Sequence, residues 1–221
     1  YYSPLLAASG SGFDNGKFLD ELSDSLKLTR TILPALLPLL NLEDYKSAIM
    51  KLLGEMVDSN LVKPKDYEMY FGKLMIEAKQ ELKKQSIAEK KKAIEKAEVD
   101  KEEKKVSVYS YYDDADKDTG NDDLSLYATL LLPYWETNTT VSPLIQQMLK
   151  SNDKVLKYNT MLLLLKHNKP FPDSLLTFFG SLDEYRYSLY TDLKQLKVSD
   201  RFPALYNNHL DLGKSSLLSK K

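Results

Sequence analysis

The sequence predicts an all-α fold in which antiparallel helix pairs stack as a short solenoid, with a long charged helix and an acidic loop inserted. Three observations predict it. Only eight of the 221 residues are glycine while 43% are apolar, which favours helices over a turn-rich sandwich and provides for a core. A 31-residue offset aligns Tyr127, Thr129 and Leu131 with Tyr158, Thr160 and Leu162, and again with Leu189, Thr191 and Leu193. The same offset pairs Leu144 with Leu175, Leu165 with Leu196, Phe171 with Phe202 and Pro172 with Pro203, so the register holds through two helices and their turn. Finally, LEDYKSAIMKLL at 42–53 and LDEYRYSLYTDL at 182–193 read as one phrase written twice. A short helix pair cannot bury its apolar stripe alone, and stacking similar pairs removes that cost.

Residues 1–16 form a Gly/Ser/Asn lead-in without periodicity. Residues 17–105 form an N-terminal helical sub-bundle. Its first helix carries Phe18, Leu19, Leu22, Leu26, Leu28 and Ile32 near helical spacing, and Pro34 and Pro38 should break it. A second helix restarts with Asn41 as N-cap and Asp44 three residues on, presenting Leu42, Tyr45, Ile49, Leu52, Leu53 and Met56 as one stripe. The third begins near Pro64 and places Tyr67, Tyr70, Phe71, Leu74, Met75 and Ala78 on an apolar face. That face fades after Lys79. From there to Lys105 ten lysines meet seven acids, enough for i,i+4 ion pairs but too little apolar area to bury, so a protruding helix is expected.

Residues 106–123 read as an exposed loop with six aspartates between 113 and 123. Residues 124–221 carry the repeats. Ser142 before Pro143, and Ser181 with Glu184 as a capping box, mark helix starts there.

Lys and Arg number 31 against 32 Asp and Glu, so no global field draws the chain to nucleic acid or an anionic membrane. Seven acids interleaved among the lysines of 79–105 likewise dilute any phosphate-tracking stripe. The absence of cysteine removes disulfides, thiolate metal sites and a cysteine nucleophile, and leaves the redox compartment open. The longest apolar runs, 32–40 and 161–165, fall well short of the ~20 residues of a membrane helix, so a soluble chain with no transmembrane segment is expected. A start at Tyr1, with no basic-then-apolar leader, fits a piece of a longer protein.

Chemistry is sparse. His167 and His209 each lack a second ligand at helical spacing, and no Gly-x-Ser-x-Gly elbow accompanies any serine, so no catalytic residue, cofactor or transition-metal ligand is assigned. Gly10, Gly12 and Gly16 miss the spacing of a phosphate loop. Asp114, Asp116 and Asp118 alternate as calcium ligands do, yet the sixth loop position is Thr119 and the twelfth Ser125, which leaves weak calcium binding against a solvated linker. Fifteen tyrosines offer apolar area with a hydroxyl, the chemistry of interfaces. Tyr185 lies on the repeated stripe and belongs to the core, whereas Tyr187 and Tyr190 are the interface candidates.

Short paired helices with leucine-rich stripes and an Asp or Asn in the turn resemble HEAT-like α-solenoid repeats over 124–203 and, more faintly, 30–60. The whole chain is similar to the repeat-bearing, non-catalytic region of large bacterial TraB/GumN-type envelope proteins, through SGSGFDNGKF, LLPLLNLEDY, KDYEMYFGKL and LLLLKHNKPF. The Gly-x-x-His element of the hydrolase-like portion of that family is missing, because Leu164 and Tyr206 stand three residues before the two histidines. The resemblance therefore implies a bacterial envelope or periplasmic setting, with any catalytic domain elsewhere in the parent chain.

The expected function is a non-catalytic scaffold or interaction module that binds a protein, a peptide or other domains of its own chain. Alternatives are an accessory lobe of a hydrolase-like enzyme and a calcium-regulated segment.

Overall fold

A computed structural model describes residues 26–103 and 122–218. Among them the regular structure is entirely helical. The order is α1 (Leu26–Leu36), α2 (Glu43–Asp58), α3 (Phe71–Glu103), α4 (Asp122–Leu131), α5 (Val141–Met148), α6 (Lys154–Lys166), α7 (Ser174–Ser181), α8 (Asp183–Gln195) and α9 (His209–Leu218), with short 3-10 turns between several of them. The chain divides into two compact units after Leu156, within α6.

In the first unit, α1 runs two residues past Pro34 instead of breaking there. The chain then tightens into a 3-10 turn, Leu37–Asn41, with Pro38 near its start, where a missing N–H costs nothing. Leu36, Leu39 and Leu40 are buried. The capping role expected of Asn41 goes unused. Leu42 forms the joint in an extended conformation, and the Asn41 side-chain oxygen accepts from Lys73 Nζ at 2.7 Å. Serving as the joint takes Leu42 out of the stripe and leaves it 42% exposed, while Ile49, Leu52, Leu53 and Met56 are buried as expected and Met50 joins them.

Two 3-10 turns, Pro64–Asp66 and Glu68–Tyr70, precede α3. Tyr67, Tyr70, Leu74, Met75 and Ala78 are buried and Phe71 is half-buried. Tyr67 donates to the Leu130 carbonyl at 2.9 Å, and Tyr134 donates to the Pro64 carbonyl at 2.6 Å, so both hydroxyls are satisfied while their rings meet edge to face. Further along α3, Ile87 and Ile94 are 58% and 61% exposed, as the thinning apolar face implies. The helix is still anchored midway, where Gln85 donates to Asp153 and Glu89 accepts from Ser151. Helix α5 begins at Val141, so Pro143 occupies its third position and Ser142 is no cap. Asp153 caps α6 through the Leu156 N–H.

In the second unit, Tyr158, Phe179 and Tyr185 form an aromatic triangle with centroids 5.0–5.1 Å apart. Leu164, Leu176, Leu189 and Leu193 are also buried there. The expected Ser181–Glu184 capping box does not form, because Ser181 donates back to the Phe178 carbonyl of α7 and Leu182 becomes the joint.

The repeated positions are alike in burial at their leading member, since Tyr127, Tyr158 and Leu189 are all nearly inaccessible. Their threonines are less uniform. Thr129 and Thr191 bond back to carbonyls four residues earlier, whereas the buried Thr160 hydroxyl has no hydrogen-bond partner. A further recurrence lies at the helix ends. Asn60, Asn168 and Lys197 terminate α2, α6 and α8 with φ of 56°, 52° and 60°. In each case the next amide reaches back to a carbonyl five residues earlier: Leu61 to Met56, Lys169 to Leu164 and Val198 to Leu193.

Candidate functional site

The site is built on α8 and α9. Helix α9 docks in an unusual way, because its only buried residue is Ser215. The Ser215 hydroxyl donates to the Asp183 carbonyl and accepts the Tyr187 N–H at 2.8 Å, standing inside the backbone ladder of α8. Asn208 starts α9 by accepting the Asp211 N–H at 2.9 Å and donating to the Asp211 carboxylate at 2.6 Å.

Between these helices lies an open cleft of about 370 Å³ lined by Tyr187, Tyr190, Asn207, Asn208, His209, Leu212, Gly213 and Ser216. Tyr187 and Tyr190 are one turn apart on α8, so both rings line the same wall. Tyr190 is braced by Phe202, edge to face at 5.5 Å. Two phenols, two carboxamides and an imidazole supply donors and acceptors around apolar ring area, and no carboxylate or ammonium lines the cleft. This residue mix adapts to varied polar partners at low side-chain entropy cost.

No family model, no curated protein and no solved structure matches this chain. The assignment of a site therefore rests on the residues themselves.

The structure brings the two sequence-picked tyrosines together in one cleft, and Tyr185 joins the core cluster. Asn207, Asn208 and His209 were missed. Their only signal was an Asn-Asn-His run before a segment with four leucines among ten residues, and nothing local ties it to α8. His167 lies just past α6 and His209 opens α9. Asp114, Asp116 and Asp118 lie outside the described residues, as do Tyr109, Tyr111 and Tyr112. Among the described residues no group of three or more His, Cys, Asp or Glu could hold a metal ion.

The titratable clusters in the core have another character. In the first unit, Tyr127 donates to Glu77 at 3.0 Å, and Lys46 sits 3.4 Å from the same carboxylate and over the Tyr127 ring. Burial pushes the Tyr127 phenol up to about 12; Lys46 opposes this and Glu77 adds to it. Burial alone would lower Lys46, but Tyr127, Glu77 and Glu43 hold it above the usual lysine range. In the second unit, burial and then the Asp192 carboxylate, which accepts its proton at 2.6 Å, push Tyr158 above the usual phenol range. The two phenols and the Lys46 ammonium are thus driven away from neutral pH, the opposite of what a general acid or base needs.

A second cleft, of about 360 Å³ in the first unit, is lined by Lys79, Lys83, Gln85, Glu89, Lys150 and Ser151 among others. Glu89 is already occupied there by the Ser151 hydroxyl and the Asp153 N–H.

Proposed function

We propose that this chain is a non-catalytic recognition module, a scaffold piece of a larger bacterial protein acting at the cell envelope, which binds a protein or peptide segment in the α8–α9 cleft. The observation that carries the reading is the cleft itself: two half-buried tyrosines on one helix together with an Asn-Asn-His turn, without a carboxylate or ammonium in the lining. A lining without carboxylate or ammonium suits backbone amides and small polar side chains better than phosphate or a metal ion. The envelope setting draws on the resemblance to TraB/GumN-type proteins alone.

The helix pairs are read as HEAT-like units stacked as a solenoid. Support comes from three helix ends with the same left-handed termination and from two corners, at Leu42 and Leu182, with matching backbone geometry.

Photo-crosslinking tests the binding reading. Benzoylphenylalanine placed at Tyr187 or Tyr190 should give one discrete protein adduct from both positions. A control at Met69, an 82% exposed residue of the first unit, should give none. Identical adducts at all three positions, or turnover of a substrate by this chain, would reject the proposal.

A further inference from the structure

Helix α9 has its polarity reversed. It buries a serine and turns leucines outward, with Leu210 79%, Leu217 71% and Leu218 48% exposed. Leu210 and Leu217 are seven residues apart and share one stripe. Gly213 borders that stripe, and a Cβ built there would meet no atom within 4 Å. Lys214 lies on the other border, with Asp211 one turn before it.

We propose that this face is an isologous contact with a second copy of the chain, formed by antiparallel pairing of α9 with α9. The stripe is complementary to itself about the 213–214 midpoint. Antiparallel pairing sets Leu210 against Leu217 of the partner subunit, and the two-fold axis repeats that contact in reverse. Gly213 falls beside the axis, where the absence of a side chain lets the two backbones approach. Lys214 falls beside Asp211 of the partner subunit, so the same register pairs opposite charges twice. Among the described residues Lys214 has no carboxylate partner within its own chain, and a net charge of −1 sets little repulsion against self-association. A two-leucine contact is small, which makes the association concentration-dependent and suited to a module already held near its copies.

The natural absence of cysteine makes the test clean. Sedimentation equilibrium of the whole chain across a wide concentration range should show the mass rising toward twice the monomer. Leu217→Asp, a change at a surface position that leaves the core intact, should raise the dissociation constant at least about tenfold. Gly213→Cys should form a disulfide-linked dimer about tenfold faster than Gly72→Cys, its control at another glycine with open space around it. A chain that stays monomeric throughout, a dimer indifferent to Leu217→Asp, or equal cross-linking at the two cysteines would each overturn the proposal. Leu217 does not line the α8–α9 cleft, so the response to Leu217→Asp is separate from that of partner capture there.

Discussion

Two corners of the molecule, at Leu42 in the first unit and at Leu182 in the second, use the same backbone and hold it by different means. In each, one leucine adopts an extended conformation between helical segments, with φ −104°, ψ 116° at Leu42 and φ −86°, ψ 120° at Leu182. Each joint amide reaches back three residues, to Leu39 and Phe179, and each joint carbonyl accepts two amides of the next helix, from Tyr45 and Lys46 or from Tyr185 and Arg186. The flanking residues match in burial: Leu36 with Leu176, Leu39 with Phe179, Ile49 with Leu189 and Leu53 with Leu193.

The difference lies two residues before the joint. That carbonyl belongs to Leu40 in one corner and Gly180 in the other, and a cation binds each. Lys73 arrives from α3 and donates to Leu40 at 2.8 Å. Arg186 arrives from the helix it starts, donating to Gly180 at 2.7 Å and to Ser181 at 3.1 Å, with Asp183 at 2.7 Å. A leucine at 40 goes into the core, whereas a glycine at 180 makes room for Tyr206, whose ring lies 5.2 Å from the Arg186 guanidinium. One corner is thus secured by tertiary structure and the other almost entirely by its own sequence.

The largest effect should come from removing the local clamp. Arg186→Ala strands two carbonyls around a buried side chain and should cost about 3 kcal/mol in urea unfolding. Lys73→Ala, at a partly solvated ammonium, should cost about 1 kcal/mol. Equal losses would mean that the corners are not held differently.

Alkaline titration sharpens the comparison next, because each unit buries a phenol on a carboxylate. Tyr127 has a folded value of about 12, above the ordinary phenol value, so the protonated form is the one the fold favours. Its contribution is complete below the ordinary phenol value near 10 and is lost as pH rises from there through about 12. Tyr158 shifts in the same direction. Absorbance at alkaline pH should reveal tyrosines that ionise only together with unfolding, and smooth titration of all fifteen near the ordinary value would contradict this.

A smaller loss is expected at Gly180. A Cβ there would lie 2.9 Å from Tyr206 and 3.3 Å from Pro203, so Gly180→Ala should lose about 2 kcal/mol to crowding and regain about 1 from helix propensity. Thermal melts should register the net decrease.

The smallest effect has the opposite sign. Lys197 is a side-chain-bearing residue in the left-handed region at φ 60°, where Asn60 and Asn168 close the equivalent helix ends. Lys197→Gly should stabilise by about 0.5–1 kcal/mol in the same melts.

What could be read from the sequence follows the distance over which each feature is determined. The apolar stripes are periodic properties, and they appear in the structure as helices that bury Ile49, Leu53, Tyr127, Tyr158, Leu189 and Leu193. Tyr187 could be told from Tyr185 because it sits off the repeated stripe. Caps were misjudged because side chains with other offers left them: Asn41 went to Lys73, and Ser181 went to the carbonyl of Phe178. Pro34 was misjudged because packing of α1 tolerates one lost ladder bond. The cleft and the reversed polarity of α9 depend on Ser215 bonding into α8, a contact 28 residues away from Tyr187 that no local pattern announces.

Native-state hydrogen exchange at the Leu42 and Leu182 amides separates a corner held by tertiary structure from one held locally. Arg186→Ala should speed exchange at Leu182 on the order of tenfold or more while sparing Leu42, and Lys73→Ala should do the reverse with a smaller change. An amide indifferent to the loss of its own cation, or both amides responding alike to either substitution, would contradict it.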